Sequence, residues 1–136
     1  MADISFTATA IVAGTGAQTQ QGTLGESGIT QGMALYLKAS DNKWYKAHCE
    51  TSAATAAAQA FALGAGGTNQ RIVLLTGGNM TCDNLTAGTV YVLSASGLIA
   101  PAADLAGGDY VTVVGVADSA TSLQVSFIVS GTQVPE

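Results

Sequence analysis

The sequence predicts an all-β fold, a β-sandwich or barrel built from two similar β units with an N-terminal strand and arm. Three observations carry that expectation. Apolar residues alternate with polar ones in short runs, the signature of half-buried strands. Glycine-rich turn signals interrupt those runs every ~8–12 residues, as in sandwiches and barrels. Finally, the chain resembles itself at an offset of about 55 residues.

Taken in order, Ile4, Phe6, Ala8 and Ala10 alternate with Ser5, Thr7 and Thr9, which predicts a first strand. Residues 13–28 are rich in Gly, Gln and Thr and have few side chains to pack, so they read as a long loop or as a flexible arm. Residues 1–28 thus form a strand-and-arm segment, and deletion of residues 2–20 is expected to leave a folded protein that no longer binds particles. Residues 29–136 form a single β domain with repeats at 29–77 and 85–131.

The first repeat opens on the turn Ile29-Thr30-Gln31-Gly32, runs into the apolar strand around Leu35-Tyr36-Leu37, and ends in Ala39-Ser40. The second opens on Leu85-Thr86-Ala87-Gly88, runs through Val90-Tyr91-Val92-Leu93, and ends in Ala95-Ser96, with its tyrosine one step out of register. Phe61-Ala62-Leu63, the turn Gly64 to Asn69 and Ile72 to Gly77 complete the first copy. Val113 to Ala117, the turn Asp118 to Thr121 and Leu123 to Gly131 complete the second more loosely. Ile72–Leu75 and Val90–Leu93 are apolar on both faces, which suits central or covered strands. One such unit cannot bury its apolar face alone, whereas two packed together can. Ser52 to Ala62 is alanine-rich, and Ala is the best helix former. At most a short helix around 52–58 is expected, with extended chain after it.

A chain of 136 residues fits one domain and buries roughly two-thirds of its unfolded surface without disulfides or metal. Charged residues make up only 10%, against about 25% in typical globular chains. The surface is therefore neutral and polar, covered by other subunits, or both, since charge depletion marks interface cores. The net charge is −5 and the cations are Lys38, Lys43, Lys46 and Arg71. So few cations argue against nucleic-acid partners, which are held through phosphate neutralisation, and against anionic membranes. The first residues have neither a basic region nor a sustained apolar run, and no stretch approaches the ~20 apolar residues of a membrane span. Synthesis in a cytoplasm is expected, with Cys49 and Cys82 as reduced structural thiols and a disulfide between them as the alternative.

No constellation in the sequence carries catalysis, so no enzyme, cofactor or metal is expected. His48 is the only histidine; it adjoins Cys49, but neighbouring strand residues face opposite ways, and no further zinc ligands are spaced nearby. Asp104, Asp109, Asp83 and Asp41 do not fit a calcium loop and read as turn residues. Gly64 to Thr68 resembles a phosphate loop without its lysine. Asn79-Met80-Thr81 and Asn84-Leu85-Thr86 match the glycosylation pattern by chance. The conspicuous cluster is Lys43-Trp44-Tyr45-Lys46. Its aromatics suit a strand that fills the core, a subunit contact, or a glycan contact. Ile4, Phe6, Trp44 and Tyr45 are the candidate contact residues.

Gly25 to Gly32 with Ala34-Leu35-Tyr36-Leu37 and Lys43 to Ala47 resembles the opening of head-decoration (cement) proteins of tailed bacteriophages. So do Leu85 to Ser94, Gly97-Leu98-Ile99-Ala100-Pro101, Gly108 to Thr112 and Val114 to Ala117. The resemblance spans about residues 22–131. It implies a structural virion protein that binds the outside of an assembled capsid through the major capsid protein and stabilises it. A homotrimer on the capsid surface, made in the host cytoplasm, is implied with it. The alternative is a tail-fibre or baseplate module that recognises a host surface glycan.

Overall fold

The computed structural model describes residues 3–4, 6–7, 10–50 and 52–135. The chain is nearly all β. Its strands are β1 (Val12–Ala13), β2 (Gln18–Thr23), β3 (Ala34–Lys38), β4 (Lys43–Lys46), β5 (Ala60–Ala62), β6 (Arg71–Thr81), β7 (Val90–Leu93), β8 (Ile99–Pro101), β9 (Tyr110–Ser119) and β10 (Ser122–Gln133). A 3-10 turn, Ala102–Asp104, follows β8. The strands pair antiparallel in one curled sheet, a half-barrel, in the order β4-β3-β5-β6-β10-β9-β7-β8, with β1 and β2 both paired to β6.

That order reads the same from either end when β3 to β6 are matched with β7 to β10. Each half is a hairpin, a returning strand and a long strand, and the two long strands meet at the centre through Leu123↔Met80 and Gln124↔Asn79. β6 bends where its partners change. Before the bend it pairs with β2 and β5, and after it with β10 and β1. Gly78 sits at this point with φ +82°, and a Cβ there would lie 2.2 Å from the carbonyl oxygen of Gly16. Only glycine combines that backbone conformation with so close an approach.

Successive strand residues point to opposite faces, and the first half uses both. Ala34, Phe61 and Leu75 point into the main core inside the curl, with Met80, Tyr91, Leu93, Ile99, Val114, Leu123 and Val125. Their neighbours Leu35, Ala60, Ala62 and Leu74 point outward into a second core closed by Leu24, Ile29, Trp44 and Ile72. This is why Ile72 to Leu75 is apolar on both faces, as its sequence implies.

The N-terminal expectations need correction. Ile4 and Phe6 lie in no strand; the Ile4 amide donates to the Ile99 carbonyl at 2.8 Å, and no ladder forms among the run's described residues. Ser5, Ala8 and Thr9 of the expected strand lie outside the described residues. Residues 13–28 are not a free arm, because Gln18–Thr23 is strand β2, paired along β6 from Gly77 to Arg71. Ile11 is buried in the main core. Backbone pairing with a long central strand holds this polar segment although it has no apolar periodicity. Around 52–58 the chain makes turns and no helix: Ser52 and Thr55 hydrogen-bond each other's backbone and hydroxyl groups, and β5 follows. Such local side-chain bonds compete with helix.

Candidate functional site

Two surface regions and one partly buried cluster bring chemistry-bearing residues together. The first surface region lies on the outer face of the second half. Val90 and Val116 are cross-strand partners, as are Val92 and Val113, and Val113 is in turn opposite Ile128. Their chain neighbours Tyr91, Val114, Ala117 and Phe127 face the main core, so these valines and Ile128 share the opposite face, on which Val92 is itself buried at 1% exposure. Val90 and Val116 remain 39% exposed and Ile128 59%. The corresponding face of the first half is the second core, covered by the chain's own Leu24, Ile29 and Trp44. The second half leaves Val90, Val116 and Ile128 of its own outer face exposed.

Beyond Val125, β10 pairs only with β9 among the described residues, and Ser126 and Ile128 to Gln133 are exposed. This stretch carries no charge and no proline. Native edge strands are commonly blunted by just those devices. The other ends of the sheet have them: β4 carries Lys43 and Lys46, and β8 is three residues long with Pro101.

The second surface region is the β3–β4 hairpin. Tyr36 and Tyr45 are cross-strand partners with ring centroids 5.9 Å apart, and Lys38 Nζ lies 5.0 Å from the centre of the Tyr45 ring. That placement is a cation–π contact. The Tyr45 hydroxyl donates to Asp41 Oδ2 at 2.5 Å. This bond, which needs the phenol protonated, pushes the Tyr45 pKa up to about 12 and holds the Asp41 carboxyl below its ordinary value. The Tyr45 ring rests on Gly25, where a Cβ would come within 2.3 Å of Cζ. The Lys46 amide donates to Glu26 at 3.0 Å and Lys43 Nζ to the Asn69 side chain at 2.6 Å. Lys38 therefore covers the Tyr45 ring of a pair of half-buried tyrosines, while Lys43 is tied to Asn69.

Of the residues singled out from sequence, Trp44 is buried in the second core at 5% exposure, which leaves it no surface to offer a partner. Tyr45 is half-buried at the hairpin surface. Ile4 and Phe6 pack partly buried against the main core, and Phe6 lines a shallow recess with Thr30, Gln31, Gly32, Met33 and Leu98. The four do not form one patch.

The partly buried cluster was not legible in the sequence. Cys49, Glu50 and Asp109 each present one ligand atom, and these atoms lie within 4.8 Å of one another. Residue spacing hides this grouping, because Asp109 arrives from the far half of the chain. His48 does not join it; Nδ1 accepts from the Ser96 amide at 3.0 Å and so holds the β7–β8 turn against the β4–β5 connection. Cys49 and Cys82 are both free and buried. Burial pushes the Cys82 thiol up to about 12, with Asp83 adding to the shift, so this thiol is a core side chain at neutral pH. Asp83 itself accepts from the Thr7 amide at 2.9 Å.

Comparison with protein-family models, with characterised proteins and with solved structures found no match.

Proposed function

We propose that this chain is a structural virion protein that binds the outer surface of an assembled phage capsid and stabilises the shell, acting as a homotrimer. The single observation that carries the reading is the exposed apolar group Val90, Val116 and Ile128 on the outer face of the second half. The same fold unit in the first half covers its outer face with its own residues. An apolar group left exposed is suited to burial against another protein. Low charge, at 10% of residues, lowers the desolvation cost of such a contact. The uncharged edge of β10 adds unpaired backbone groups through which subunits can extend the sheet. The resemblance of the repeats to head-decoration proteins points the same way.

The mechanism is area burial multiplied over many copies. Each contact contributes roughly 25 cal/mol per Å² of apolar surface removed from water, before association costs. Subunits tied to one another raise retention further through effective concentration.

A second reading, a tail-fibre or baseplate module for a host glycan, draws on the Tyr36–Tyr45 pair with its lysines. Here Lys38 already occupies one face near the Tyr45 ring and Gly25 lies against the ring, which leaves little free aromatic surface to stack on a sugar. Antibody-gold labelling of intact particles separates the two. Label spread over the heads is the expected result, and label confined to the tail tip, or none on the particle, refutes the decoration reading.

A further inference from the structure

The geometry points to a divalent-metal site of zinc type formed by Cys49, Glu50 and Asp109, which staples the first half of the fold to the second. This proposal is independent of particle binding.

Three features carry it. The first is the gathering of one soft and two hard ligand atoms within 4.8 Å of one another. Zinc takes sulfur at about 2.3 Å and carboxylate oxygen at about 2.0–2.2 Å in a tetrahedron, with three protein ligands and a water in open sites. Reaching those distances requires a contraction of about 1 Å, and Glu50, exposed on its turn, is free to supply it.

The second feature is the placement of the thiol. Cys49 is 0% exposed, its sulfur lies within 4.8 Å of both carboxylates, and it makes no side-chain hydrogen bond to another described residue. On binding a dication the thiol would release its proton to solvent and coordinate as the thiolate. The chain's lysines and arginine offer no substitute, since none forms an ion pair with Glu50 or Asp109 among the described residues.

The third feature is that the buried ligands are already held in place. Asp109 is only 6% exposed, and its Oδ2 accepts from the Ala106 amide at 3.0 Å. That bond orients the carboxylate and leaves its other oxygen for the metal, the usual role of a partner behind a ligand. The Cys49 backbone is fixed on both sides, its amide donating to the Ser94 carbonyl at 3.2 Å and its carbonyl accepting from the Tyr110 amide at 2.7 Å. Cys49 belongs to the connection after β4, while Asp109 immediately precedes β9, so one ion would join the two repeats.

The test uses the full chain. Co²⁺, a spectroscopic stand-in for zinc, is expected to give a near-ultraviolet thiolate charge-transfer band and visible tetrahedral bands that Zn²⁺ abolishes. Zn²⁺ is expected to raise the Tm. Cys49→Ser should remove the charge-transfer band, and Cys82→Ser should retain it. Because a buried substitution can disturb folding, Glu50→Gln on the exposed turn provides a folded control and should weaken Zn²⁺ binding about tenfold or more. Absence of the band in the wild-type protein, its persistence in Cys49→Ser, or Zn²⁺ binding unchanged by Glu50→Gln would each overturn the proposal.

Discussion

Replacing Val90, Val116 and Ile128 together with threonine tests the proposed binding face while sparing the fold. Threonine keeps the β-branched shape that strands favour, and none of the three side chains contributes to either buried core. The expected loss follows from what is still exposed. Complete burial of an aliphatic side chain contributes about 2 kcal/mol. Val90 and Val116, each 39% exposed, therefore hold about 0.8 kcal/mol in reserve, and Ile128, 59% exposed, about 1.2 kcal/mol. Together that is about 3 kcal/mol, or about a hundredfold in affinity per subunit if a partner covers the three side chains completely. The assay is co-sedimentation of purified protein with undecorated capsids over a concentration series, with urea unfolding as the check on stability. The expected result is a midpoint of unfolding within a few tenths of a molar of wild type and a binding curve displaced by one to two decades, on the order of the estimate above. A folded triple variant that decorates capsids at wild-type affinity would refute the argument that the exposed group is the contact.

Three further outcomes follow from the structure. Trp44→Ala removes a side chain enclosed by Leu24, Leu35 and Leu74 and should cost about 3–5 kcal/mol, read as a lowered urea midpoint; a loss below about 1 kcal/mol would mean that the second core is loosely packed. Deleting residues 2–20 removes Ile11, β1 and half of β2, so a marked fall in Tm is expected, and an unchanged Tm would restore the free-arm expectation. Asp41→Asn should return the Tyr45 phenol from about 12 toward its ordinary value of 10.0, visible as an earlier phase in the ultraviolet titration of tyrosine. The sign for stability follows. Tyr45 is raised on folding, so its contribution is present below pH 10.0 and lost as pH rises through about 12. Asp41 is lowered, so its contribution is present above its unfolded value and lost as pH falls through the folded one.

Much of the architecture was legible residue by residue. Leu123, Val125 and Phe127 alternate with Gln124 and Ser126 and do point to the core side. In the two-sided apolar run at Ile72 to Leu75, Leu75 enters the main core and Ile72 and Leu74 the second core, while Val73 is 42% exposed. The same logic misread the N-terminus. Alternation records which face of a segment meets apolar surroundings, not whether its amides find a ladder. Ile4 and Phe6 accordingly pack inward without forming a strand. Gln18 to Thr23 shows the converse, a strand held by its pairing with β6 and not by its side chains.

By itself the sequence determined the all-β class, the turn positions and the shortage of charge. Those depend on local conformational preference and composition, which are properties of neighbouring residues. The tertiary structure alone decided that the first half covers its outer face while the second leaves Val90, Val116 and Ile128 exposed, because coverage depends on where Trp44 and residues 24–29 dock. It also decided that Asp109 reaches Cys49 and Glu50. Groups so far apart in the chain meet only after the two halves of the sheet have curled together, and no spacing rule encodes that curl.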